Sequence, residues 1–199
     1  MLRAHQLVPT SPIPAQVSDF ACIEFVNSAF SDYLGGSPSL DRLPLAEWQA
    51  WFLTRFDLRL PRHCQAPVSS LQATRMELRH VLERWAATGT LSSRDLGSLN
   101  RKLGHTVLRQ RLVARADGVE LIVEPLQRDW NWVTGVIVAS LVELVAVGKP
   151  DRLKVCANPN CSWMFYDGTR NESRRFCSPR LCGNVVRVRR FRRRKSTLN

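Results

Sequence analysis

Long apolar runs are missing from this chain. The most apolar stretch, Trp132 to Val147, is shorter than the roughly 20 residues that span a bilayer and contains Glu143, so it reads as a core helix. No apolar block of signal-peptide length precedes Pro9, Pro12 and Pro14. The expected location is therefore cytoplasmic. Acidic residues are scarce in one region only: residues 152–199 hold Asp167 and Glu172 against 13 Lys/Arg, so nearly all of the +12 net charge lies there. A near-neutral body with a basic tail selects a polyanionic partner, either nucleic acid or an acidic membrane surface.

Catalytic patterns are also missing. His5, His63, His80 and His105 show no metal-ligand spacing, and there is neither a glycine-rich phosphate loop nor a nucleophile elbow. Nothing in the chain asks for an enzyme.

What is present is enough for one ordinary domain and a small appendage. Prolines mark residues 1–16 as a flexible N-terminal arm. Helical spacing of apolar residues follows over Ser18–Phe30, with Ser18 or Asp19 as N-cap. Leu45–Phe56 forms a second helix with Trp48, Trp51 and Phe52 on one stripe. Ser69–Thr88 is the clearest helix; Leu71, Met76 or Leu78, Val81, Leu82 and Trp85 form its apolar side and Gly89 ends it. Ser92 to Asp95 has capping-box spacing and opens a helix to about Leu103. β-Branched residues in Thr106–Val113 and Val119–Leu126, around Ala116-Asp117-Gly118, predict a β-hairpin. Asp129–Val147 returns to helix, and the domain boundary falls near Gly148-Lys149-Pro150. The expected fold class is α+β: a mainly helical domain with one hairpin over 17–150, then a small four-cysteine ββα zinc finger over 151–195.

Four of the six cysteines are clustered as Cys156-x4-Cys161 and, fifteen residues on, Cys177-x4-Cys182. Two thiolate pairs on tight turns supply the tetrahedral corners that zinc needs. Asn158-Pro159-Asn160 and Ser178-Pro179 provide the turns. Two disulfides or four buried thiols are the alternatives, but paired spacing in a chain without a secretion signal favours metal. Trp163–Tyr166 and Arg174–Phe176 can form two short strands, and Cys182 falls near the start of a helix whose dipole favours a thiolate. Of the remaining two, Cys22 reads as a core residue and Cys64 as a loop thiol.

A helix from Asn184 to Lys195 would be about 18 Å long. On a helical wheel Val185, Val188 and Phe191 share one side and can pack on the knuckle, against Phe176 or Trp163. Arg187, Arg190, Arg193 and Arg194 cover the opposite side, with Arg189 at its edge. A cationic helix of that width fits a major groove, and arginine forks suit phosphates and guanine edges. With Arg174 and Arg175 these are the candidate nucleic-acid contacts. A membrane surface competes weakly, because the apolar stripe is short and occupied.

Cys156-x4-Cys161, Trp163-Met164-Phe165-Tyr166-Asp167, Arg174-Arg175-Phe176-Cys177 and Cys182-Gly183-Asn184 resemble the CGNR zinc-finger family. In the body, Cys22-Ile23-Glu24-Phe25-Val26-Asn27-Ser28 and Asp95-Leu96-Gly97-Ser98-Leu99-Asn100 resemble the ABATE domain usually joined to that finger. The resemblance implies a stress-responsive transcription regulator with a DNA-binding finger and a ligand-sensing N-terminal domain. One position departs from the pattern: Val185 stands where the family has arginine, and Arg187 where it usually has lysine. A contact made by the family arginine must be absent here or moved to Arg187.

The expected function is thus a DNA-binding transcription regulator holding zinc, with a small-molecule effector and a homodimer held by the body as further expectations. Asn27 follows inward-facing apolar residues and is the candidate for an effector pocket beside Trp130 or Trp132; its alternative is to cross-link elements through hydrogen bonds. Two other functions use the same residues. One is an RNA-binding zinc protein, the other a protein-interaction module without sequence-specific DNA binding.

Overall fold

The structure is a computed structural model that describes residues 18–35 and 39–196. The N-terminal arm expected over 1–16 lies outside the described residues. Helix α1 (Ala21–Val26) is shorter than its apolar spacing predicts, and every one of its residues is buried. It stops because Asn27 is drawn into a contact with a distant strand, described below. Ser18 and Asp19 do not cap it, since Phe20 holds the N-cap position and the Asp19 carboxylate pairs with Arg55. Strands β1 (Ala29–Phe30) and β2 (Leu40–Asp41) then pair antiparallel.

Helix α2 (Ala46–Arg55) buries Trp48 and Phe52, whose rings stack at 5.0 Å. The long helix α3 (Val68–Thr88) buries Leu71, Leu78, Val81, Leu82 and Trp85, and leaves Met76 in solvent. It ends where Gly89 takes a left-handed φ of 74°, a conformation that costs glycine little. Helix α4 (Ser93–Gly104) opens with the full capping box: the Ser92 hydroxyl accepts from Asp95 N–H while the Asp95 carboxylate accepts from Ser92 N–H. Arg84 on α3 also donates to that carboxylate, which is held down to about 2 by this guanidinium first and by the Ser92 bonds after it.

Strands β3 (Leu108–Arg115) and β4 (Gly118–Pro125) form the expected hairpin, with eight registered pairs from Leu108↔Pro125 to Arg115↔Gly118. Helix α5 (Trp130–Val147) starts where the Asp129 side chain accepts from Trp132 N–H at 2.9 Å. It is long and apolar enough to cross a membrane by length and composition. Here it is a core helix: Val133, Ile137, Val138, Leu141 and Leu144 are fully buried and it packs on α1, α3 and α4. Cys22 is buried against it, its amide reaching Ser140 at 3.4 Å, and burial pushes its thiol up to about 12. Cys64 is half-buried.

No flexible linker separates the two expected domains. Pro150–Arg152 is a 3-10 turn leading directly into β5 (Leu153–Val155), which pairs antiparallel with β6 (Met164–Tyr166). Leu153 and Met164 belong to the core of the body, so the ribbon is packed between α1 and α3. A second apolar cluster, built on the four cysteines with Trp163 and Phe165, lies on the other side of that ribbon.

A four-cysteine centre beneath an arginine-lined cleft

The strand ribbon differs from the expected one. Its first strand lies ahead of Cys156, and Arg174–Phe176 is not a strand. The reason is Asp167. Its buried carboxylate accepts from Thr169 N–H at 3.0 Å, Thr169 Oγ1 at 2.6 Å, Arg174 N–H at 2.8 Å and the Lys154 ammonium at 2.8 Å. Those bonds wind residues 167–174 into a loop and turn the Arg174 N–H to the carboxylate instead of a strand partner. Burial alone would raise this carboxyl; the Lys154 charge and the Thr169 and Arg174 donors outweigh it and hold it well below its ordinary value. Asp167-Gly168-Thr169 carries the signal in sequence, since aspartate two residues before an N–H donor is Asx-turn chemistry.

The loop and the two turns converge on one point. Cys156 N–H donates to Trp163 O at 2.9 Å, Ala157 N–H to Arg175 O at 2.8 Å and Cys161 N–H to Asn158 O at 2.8 Å. Ser178 accepts from Leu181 N–H through its hydroxyl and from Gly183 N–H through its carbonyl. A π-helical turn over Pro179–Gly183 carries Cys182 inward and runs into helix α6 (Asn184–Ser196). The four sulfurs are buried and lie within 4.8 Å of one another. Cys161–Cys177 and Cys177–Cys182 are separated by 3.8 and 3.6 Å.

Those spacings decide between the chemical alternatives. A disulfide needs about 2.05 Å. Four sulfurs at about 2.3 Å from a tetrahedral zinc are about 3.8 Å apart. The cluster therefore fits zinc. Cys177 N–H also points at Cys156 Sγ at 3.5 Å, a donor that stabilises a thiolate ligand. The Cys156 thiolate is favoured by thiol donors from Cys161, then Cys177 and Cys182, and this pushes Cys161 and Cys177 upward. Four thiolates at this spacing need a cation among them, and loading zinc must release the protons.

Residues 152–195 match the CGNR zinc finger family. Among curated proteins the chain has no match. The matched segment runs from the 3-10 turn through α6 and so takes in the ribbon, the cysteine centre and the basic helix.

The body grips this cysteine finger at several places. Asn27, proposed from sequence for an effector pocket, binds the strand backbone: its Nδ2 donates to Met164 O and its Oδ1 accepts from Met164 N–H, both at 2.8 Å. The amide side chain acts as one more strand neighbour for β6, the cross-linking role weighed beside the pocket. Arg79 donates to Ser162 O at 2.9 Å, and the buried Asn158 donates to Tyr33 O at 2.9 Å. The turn through Tyr33, Leu34 and Gly35 closes so tightly on the first knuckle that a Cβ at Gly35, whose φ is 75°, would sit 2.1 Å from Asn160.

Helix α6 is not seated as its wheel suggests. None of its residues is buried; Val188 is 39% and Phe191 67% exposed, and only the first turn meets the knuckle. The physical reason lies in the entry turn. The π-helical segment sets Val186, rather than the Val185–Val188–Phe191 stripe, toward the knuckle. A cleft of about 520 Å³ opens between them, walled by Pro159, Phe176 and Val186 and lined by Arg175, Arg187, Arg189, Arg190 and Arg193. Arg189 also donates to Leu34 O. Arg194 is exposed and lies outside the cleft lining. Arg174 belongs to a different role: its guanidinium lies 4.6 Å over the Phe165 ring and donates to Phe176 O and Cys177 O. It braces the knuckle instead of facing outward. The half-buried Val185 is not among the residues that line the cleft.

Proposed function

We propose that this chain is a DNA-binding transcription regulator in which zinc fixes the knuckles and the arginine-lined cleft receives the sugar–phosphate backbone of a duplex. The cleft is the observation that carries this reading. Five guanidinium groups around one concavity repel one another, and a row of phosphates is the polyanion that relieves the repulsion. Helix α6, about 20 Å long over its 13 residues, has the width of a major groove. Arg187 lines the cleft and Val185 does not, which supports transfer of the family's arginine contact to position 187. The body resembles the ABATE domain over residues 22–28 and 95–100, and its role is to hold the finger in register. Because Asn27 and Arg79 bind the finger backbone directly, any change in α1 or α3 would reach the cleft through those bonds.

Selection of bound sequences from a random duplex pool tests the proposal. Wild-type protein enriches a common sequence, whereas Cys177→Ser and the folded variant Arg190→Ala/Arg193→Ala do not. Equal affinity for duplex DNA, structured RNA and heparin would reject it, and preference for structured RNA would move the function to RNA.

A further inference from the structure

The β3–β4 hairpin divides its side chains by face. Cross-strand partners share a face, so Leu108, Gln110, Leu112 and Ala114 lie with Pro125, Val123, Leu121 and Val119. Gln110 is the single polar residue among them. On the opposite face Arg109 and Arg111 pair with Glu124, and Arg115 with Glu120. The apolar face is bare: Leu108, Leu112, Leu121, Val123 and Val119 are 55–71% exposed. Among the described residues the hairpin packs against no other element to any extent; it is tied to the body at its base, where Thr106 meets Gly135 on α5. A two-stranded ribbon in water is marginal by itself, so this one needs a cover.

We propose that the cover is the same face of a second copy, the two hairpins packing face to face about a twofold axis with Leu112 and Leu121 at its centre. Three observations select this occupant. The face is apolar with no charge, so its partner must present an equally apolar surface, and each copy carries one at equal concentration. The charged side chains of the two strands lie on the far face, where Arg109 and Arg111 share Glu124 and Arg115 pairs with Glu120, so none of them serves the apolar face. The exposed apolar surface comes to about 500 Å² per copy, the size of a functional patch. Two copies together bury about 1,000 Å², the lower bound for a specific interface. An isologous contact of that size stands at the weak end of specific interfaces. The pairing stands on the hairpin and does not depend on nucleic-acid binding.

Sedimentation of the full-length, zinc-loaded protein from about 1 to 100 μM tests it. Wild-type protein shifts from the 22.7 kDa monomer toward twice that mass. Leu112→Asp/Leu121→Asp weakens association at least tenfold with an unchanged circular dichroism spectrum, and Glu120→Gln on the far face leaves it unaltered. Leu112→Cys, close to the axis, forms a disulfide-linked dimer under mild oxidation, and Glu120→Cys does not. A wild-type monomer across the whole range overturns the proposal, as does a dimer that survives the double substitution or cross-links equally from both faces.

Discussion

Replacing Asn27 by alanine separates an architectural role from a ligand-binding one. The side chain is buried and makes two 2.8 Å bonds to the backbone of Met164, which is itself buried. Removing the amide strands one N–H and one C=O in the interior. Each unsatisfied buried group costs about 1–3 kcal/mol, and the small cavity left behind adds to that. The expected loss is about 3–4 kcal/mol, a large part of the 5–15 kcal/mol that holds a typical domain together. Urea unfolding gives the loss directly, and amide exchange at Met164 localises it. Protection at Met164 falls in the variant while protection in the centre of α3 changes less. An effect below about 1 kcal/mol, with Met164 still protected, would refute the reasoning, because the two bonds would then contribute little to joining body and finger.

Three other perturbations have worked outcomes. Chelation of zinc should expose amides in 156–163 and 174–183, while Leu153 and Met164, held in the body core, stay protected; zinc uptake monitored by released protons should weaken as pH falls, because the thiols must ionise. Asp167→Ala should cost about 3 kcal/mol by stranding the Thr169 and Arg174 backbone donors and leaving Lys154 only the Glu172 carbonyl. Its carboxyl is held below the ordinary value in the fold, so its stabilisation is present above the unfolded value near 4 and lost as pH drops below it, which acid titration of wild type and variant would show. Glu24 has the opposite sign. Burial pushes it up to about 8, despite the Ser18 N–H bond and nearby Arg55 and Arg42. Folding therefore bears a growing cost as pH rises from about 4.5 toward 8. Glu24→Gln should raise the melting temperature at pH 8 and change it little at pH 4.

The elements that were legible in sequence are those whose signals are local. The Ser92–Asp95 box, the apolar stripe of α3, the start of α5 at Asp129 and the β-branched runs of the hairpin all act within a few residues, and the structure has each of them. The cysteine centre was legible for the same reason, two short spacings on turns. What could not be read depends on partners far along the chain. Helix α1 ends early because Asn27 pairs with a strand 137 residues away. The first strand of the ribbon lies ahead of the first cysteine, and Asp167 binds the loop that was expected to supply its second. The seat of α6 turned on a π-helical entry that no helical wheel contains, and this left Val188 and Phe191 exposed. Arg174 counted as a nucleic-acid contact by its charge, and only the Phe165 ring beneath it shows the bracing role.

The central claim is that the cleft between knuckle and helix takes up phosphates. Its most direct test is the salt dependence of binding to one duplex. Five arginines line the cleft, so log K should fall with log salt at a slope of about −4 to −5. Arg190→Ala/Arg193→Ala should bring the slope to about −2 to −3 with zinc content unchanged. A slope near zero for the wild type, or one that the double substitution leaves as it was, would contradict the account.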